Sequence, residues 1–191
     1  LRRSSAASDV YKRQPRARFR VLHLTRNPAA AINGLVDGWA YHGFHAHPVS
    51  PPLQMQGYSN LRPHDAGFWK YDLFPGWRAV AHRPLVEVAA HQWAAAHSAT
   101  LRFLDGHSDT LRVRFEDVVG APDVRRATFQ RLAQWLGIPV HPRLEQVIAT
   151  PLPPVMATAR PRARRWFARA TALAPALQLP VVQEVADRLG Y

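Results

Sequence analysis

The feature that most constrains this chain is a single junction. The run Phe19-Arg20-Val21-Leu22-His23-Leu24-Thr25 is β-rich, with apolar residues first at alternate and then at consecutive positions, as suits a buried strand. It stops at Arg26-Asn27-Pro28. Asn27 is a good N-cap and Pro28 a good first helical residue, so a helix is predicted to start there and to run to about Ala40. Strand, sharp turn and helix is the opening of an α/β unit. Ligands of open α/β sheets sit beyond the carboxyl ends of the strands, and a helix N-terminus there offers free N–H groups to an anion. Arg26 at that edge adds a forked cationic donor suited to a phosphate, unless it merely caps or packs the strand end.

The rest of the chain is mostly helical in pattern. From about 41 to 83 it is rich in Pro, Gly, His and aromatic residues (Trp69, Tyr71, Phe74, Trp77) without sustained periodicity, which predicts a functional loop or lid lining an acceptor pocket. Leu85, Val88, Ala89, Trp93, Ala96, Thr100 and Leu104 then follow helical spacing, ended by Asp105-Gly106. A second strand is predicted over 110–115. Helices follow over 122–136, with Val124, Thr128, Leu132, Trp135 and Leu136 on one face, over about 142–149, and over 180–189. Only two convincing strands accompany about five helices. Two strands make a poor independent sheet, so part of the sheet is expected to be missing on the N-terminal side.

Composition narrows the chemistry. Of 191 residues none is cysteine, which excludes disulfides, cysteine-ligated metals and thiol nucleophiles. No apolar run approaches the roughly 18 residues a membrane span requires, and the expected location is cytoplasmic. The net charge of +12 is uneven: residues 1–20 hold seven basic side chains and one acidic one. All but two of the 25 basic residues are arginine. Residues 1–14, LRRSSAASDVYKRQ, show no periodicity, begin with Leu1 and resemble the translation of sequencing-adapter DNA, so they are read as a non-native or disordered leader to a partial domain over 15–191.

Three segments, in order, carry a resemblance. Val21 to Leu35, with its Arg26-Asn27-Pro28 turn, resembles the 3'-phosphate-binding segment of sulfotransferases that use 3'-phosphoadenosine 5'-phosphosulfate (PAPS), in which a strand ends in Arg-x-Pro and a serine follows eight residues after the arginine. Leu111 to Val119, continuing through Pro122 to Leu136-Gly137-Ile138-Pro139, is similar to that family's strand, Tyr-Glu-Asp-Leu, helix and Phe-Leu-Gly block. Ala186 to Tyr191 looks like the terminal helix of bacterial members. The resemblance implies a P-loop-NTPase-like α/β fold, here a truncated parallel sheet with a mostly helical remainder. It further implies sulfuryl transfer from PAPS, without a metal, to a hydroxyl or amine of a small-molecule, glycan or peptide acceptor.

Site residues follow from the same resemblance. Arg26 would anchor the 3'-phosphate. The position of the family serine is Gly34, so Asn33 or the Gly34 backbone N–H would take its place. Trp93 matches a region where the family sets an aromatic against adenine; the alternative is a core tryptophan. Arg164 and Arg165, in the basic run from Arg160 to Arg169 around Trp166, would approach the phosphate, the alternative being a solvated basic helix. The family's Gly-Lys phosphosulfate loop and its catalytic histidine have no counterpart, so no catalytic residue is assigned and little or no catalysis is expected. His42, His45 and His47 are read as loop histidines rather than metal ligands. Glu116 and Asp117 are read as structural. A basic nucleic-acid-binding module built on 160–169 is the competing function, with no nucleic-acid partner expected on the first reading.

Overall fold

A computed structural model describes residues 19–41, 46–150, 162 and 164–191. The leader over 1–14, His42, His45, the proline-rich run at 151–154 and Arg160 lie outside the described residues. The chain is α/β and mostly helical. Strand β1 (Val21–Thr25) lies parallel to β4 (Thr110–Arg114), in register from Val21 opposite Thr110 to Thr25 opposite Arg114. Between these two strands the chain forms helix α1 (Pro28–Trp39), strands β2 (Ala46–Pro48) and β3 (Phe68–Lys70), helix α2 (Trp77–Val80) and helix α3 (Leu85–Leu104). After β4 come α4 (Phe115–Val119), α5 (Pro122–Leu136), α6 (Pro142–Ala149), a 3₁₀ turn at Arg165–Arg169, α7 (Ala170–Leu177) and α8 (Pro180–Leu189).

The two-residue period of β1 assigns its faces. His23 and Thr25 are buried, toward α3 and the end of α8, while Leu22 and Leu24 on the opposite face are 47% and 52% exposed. Among the described residues β1 pairs with β4 alone, so the parallel sheet has two strands.

Helix α3 organises the core because it is apolar along two adjoining stripes. One side packs Ala89, Ala90 and Trp93 against Ile32 of α1, Leu173 and Ala176 of α7, and Val182, Val185 and Leu189 of α8. Its N-terminal end, through Leu85 and Val88, packs against Trp39, Leu53, Met55, Tyr58, Trp69 and Val80. This second cluster changes the reading of 41–83. Tyr58 and Trp69 are core, with Tyr71, Phe74 and Trp77 packed against them, and Trp39 meets Tyr58 and Trp69 edge to face, at 4.8 and 5.2 Å between ring centres. The segment also holds an antiparallel pair, β2 with β3, in which His47 lies opposite Trp69. Strands of three residues are too short to show a period, which is why the pair is invisible in sequence.

Two further differences concern helices. Val124 and Leu136, assigned to the inner face of α5, are 42% and 40% exposed, and the buried residues of that helix are Arg125, Thr128 and Ala133. Arg125 is buried because its guanidinium donates to the carbonyls of Ile148 and Ala149, at 2.5 and 3.3 Å, satisfying the C-terminal end of α6. Helix α7 has no legible start or period in the sequence, because Pro175 lies inside it.

Candidate functional site

The turn after β1 forms as its residue types dictate. Pro28 opens α1, and the Asn27 side-chain oxygen accepts the Ala30 N–H at 3.2 Å. The Asn27 N–H itself donates to Glu116 Oε1 at 2.9 Å, across from α4. Proline has no N–H, and the Ala31 N–H donates to the Asn27 carbonyl as the first helical bond, so of the first four helical residues Ala29 alone keeps an N–H without a partner among the described residues. The expectation of an open row of N–H groups is thereby corrected. Protein groups already fill most of the anion-binding capacity of the helix end.

What the turn offers instead is a side chain. The Arg26 guanidinium lies over the Phe115 ring at 4.7 Å, and it makes no hydrogen bond or ion pair among the described residues. Burial lowers its pKa, the neighbouring Glu116 carboxylate works in the opposite sense, and the charge of Arg165 lowers it further. Arg26 therefore shares its surroundings with a second cation. It also reaches Gly34: a Cβ placed on that glycine would lie 3.9 Å from the nearer guanidinium nitrogen.

The same face of α1 gathers the arginines of the 3₁₀ turn. Asn33, 5% exposed, accepts a hydrogen bond from Arg169 at 2.9 Å. One helical turn on, the Asp37 carboxylate pairs with both Arg165 and Arg169. The Asn33 carbonyl oxygen is thus taken by a protein donor, and only its amide nitrogen is left as the donor that a phosphate would need. Arg164 is not brought to this group: its backbone is left-handed (φ 53°) and its guanidinium sits over Phe167 at 5.6 Å. Trp93 is 4% exposed in the main core, with His97 packed on it at 5.0 Å and its indole N–H buried without a partner among the described residues. The structure therefore gives Trp93 the core position that was the alternative to contacting adenine. Arg26, Gly34 and Arg165 converge; Arg169 joins them, a residue that the sequence marks only as one of a general basic run.

Beside the turn lies an open cleft of about 520 Å³, walled by Asn27, Pro28, Trp166, Gln183, Asp187 and Tyr191. Its aromatic lining is Tyr191 and Trp166, the latter marked in the sequence only as the centre of an arginine cluster. Behind the turn, Tyr191 hydrogen-bonds Thr25 and Glu116 and so joins the end of β1 to the start of α4. A separate histidine pair, His23 Nε2 to His97 Nδ1 at 3.1 Å, bridges β1 and α3. Burial lowers the pKa of both histidines, Arg112 adding to the effect on His23, and His97 is pushed down to about 4. The pair is neutral near pH 7 and holds strand to helix.

No group of three or more His, Cys, Asp or Glu side chains among the described residues could hold a metal ion. No helix among them is long and apolar enough to cross a membrane. Compared with known proteins, the chain matches no family model, no curated protein and no solved structure.

Proposed function

We propose that this chain is the nucleotide-anchoring part of a PAPS-dependent sulfotransferase with a P-loop-like parallel sheet, and that Arg26 holds the 3'-phosphate of the nucleotide. One observation carries the reading: a guanidinium with no protein partner among the described residues, braced on Phe115, beside Gly34 and close enough to Arg165 to feel its charge. Arg165 is paired with Asp37, yet its charge still disfavours the Arg26 cation, and an anion bound at Arg26 relieves that cost. Gly34 leaves room beside Arg26 where a larger residue would crowd a ligand. Trp166, with Gln183 and Asp187, gives the adjoining cleft a flat apolar wall and hydrogen-bond acceptors, a combination suited to an amino-bearing base.

PAPS, when bound, supplies the sulfuryl group. The residues named here bind and orient the nucleotide, and none of them is assigned to proton transfer or to the reacting sulfur. The competing reading, a nucleic-acid surface over the basic run, loses ground because Arg165 and Arg169 are spent on Asp37 and Arg164 lies on Phe167. Titration calorimetry with adenosine 3',5'-bisphosphate tests the proposal. Arg26→Ala should weaken binding by about 10- to 100-fold, the range for losing one or two hydrogen bonds to a charged group. An affinity unchanged by Arg26→Ala removes Arg26 from the site.

A further inference from the structure

Glu116 is placed where it could undo the site just described. Its charge acts on Arg26, and a carboxylate that swung onto that guanidinium would neutralise it. Both carboxylate oxygens are instead occupied elsewhere. Oε1 accepts the Asn27 N–H at 2.9 Å, and Oε2 lies 3.3 Å from the Tyr191 hydroxyl. That hydroxyl is also 2.9 Å from Thr25 Oγ1. An ionised carboxylate only accepts, so the phenol proton points to Glu116 and the Thr25 hydroxyl donates to the phenol oxygen. The pKa of Tyr191 is consistent with this direction: burial raises it first, donation to Glu116 raises it too, and the hydrogen bond from Thr25 works against both.

The phenol is itself held by strand β4. The Arg114 guanidinium lies over its ring at 4.9 Å and donates to the Gly190 carbonyl, while Arg112 donates to the Arg188 carbonyl at 2.9 Å. The end of α8 is thereby fixed against the same strand whose continuation carries Phe115 and Glu116.

We infer that Tyr191 is a positioning residue for the Arg26 site: its hydroxyl holds Glu116 on the Asn27 N–H and so keeps the Arg26 guanidinium free for a ligand anion. The inference rests on the reading of Arg26 as the anion anchor. Removing the hydroxyl frees Oε2, the carboxylate turns toward Arg26, and anion affinity falls although Arg26 is intact. Removing the charge of Glu116 as well should restore it.

The test is an NMR titration of the ¹⁵N-labelled chain with adenosine 3',5'-bisphosphate, following the Asn27 and Gly34 amides, for wild type, Arg26→Ala, Tyr191→Phe, Glu116→Gln and the double variant Tyr191→Phe/Glu116→Gln. Tyr191→Phe keeps the ring under Arg114, so the fold should persist, and the binding loss expected is about tenfold, the size of one charge-assisted hydrogen bond. The double variant should recover most of that loss, gaining more over Tyr191→Phe than Glu116→Gln alone gains over wild type, a coupling that a purely structural role for Tyr191 would not give. If Tyr191→Phe binds like wild type while Arg26→Ala does not, the inference fails and the anchor reading stands. If Tyr191→Phe weakens binding and Glu116→Gln gives no recovery, the inference also fails. If wild type and Arg26→Ala are indistinguishable, the anchor reading falls and takes the inference with it.

Discussion

Gly34 gives the sharpest test of the proposed phosphate site on α1. It lies inside a helix, where glycine is about 0.5–1 kcal/mol less favourable than alanine because the unfolded chain loses more freedom on ordering. A Cβ at this position would meet only an Arg26 guanidinium nitrogen, at 3.9 Å, an ordinary contact with the flexible end of a side chain. No steric cost offsets the gain. Gly34→Ala should therefore raise stability by about 0.5–1 kcal/mol, and Gly34→Ser by about half as much. For a domain of this size that corresponds to roughly 1–4 °C in Tm for the alanine variant, measurable by thermal unfolding followed by circular dichroism. The two variants should part in binding. Serine places a hydroxyl beside Arg26, and one added hydrogen bond to a charged phosphate tightens adenosine 3',5'-bisphosphate binding by about tenfold, less if the hydroxyl turns back to the carbonyl four residues earlier. Alanine adds no donor and should leave affinity at or below wild type. A fall in Tm for Gly34→Ala would show that the space beside Arg26 is not open. Equal affinities for the serine and alanine variants would show that no phosphate sits there.

Two further outcomes concern the frame around the site. Both His23 and His97 have folded-state pKa values below the ordinary histidine value of about 6.5, so the folded chain binds fewer protons than the unfolded one; their contribution is complete above about pH 6.5 and is lost as pH falls toward the value of about 4 for His97. Tm should be level from pH 8 to 7 and decline between about 6.5 and 4.5, with His97→Gln flattening the upper part of that decline; a Tm that rises on acidification contradicts the neutral pair. Gln92, 1% exposed, accepts from the Trp39 indole N–H and donates to the Lys70 carbonyl, each at 2.9 Å. Gln92→Leu fills the same volume but orphans both groups, and urea unfolding should show a loss of about 2–6 kcal/mol, at 1–3 kcal/mol for each; a loss under 1 kcal/mol would mean that water or a rearrangement reaches them.

Local rules carried much of the architecture. The strand, the Asn27 cap and the Pro28 start are where their residue types put them, because capping and proline geometry act over three or four residues. The start of α3 just after Pro84, the turn at Gly137 and the helix over 180–189 follow for the same reason. The 41–83 segment resisted because its order comes from Trp39, Tyr58 and Trp69 packing on one another and on Leu85 and Val88, contacts that leave no period in the sequence.

The candidate site divides along the same line. Sequence alone determined that an arginine would stand at the end of a strand, just before a helix, with a glycine eight residues on. Only the tertiary structure decided which groups are still available there. Glu116 takes the Asn27 N–H, Asp37 takes Arg165 and Arg169, and the core takes Trp93, leaving the Arg26 guanidinium unpaired among the described residues. Whether a donor is free depends on every neighbour the fold brings within about 3 Å of it, and those neighbours come from residues as far apart in the chain as Asn27, Glu116 and Tyr191.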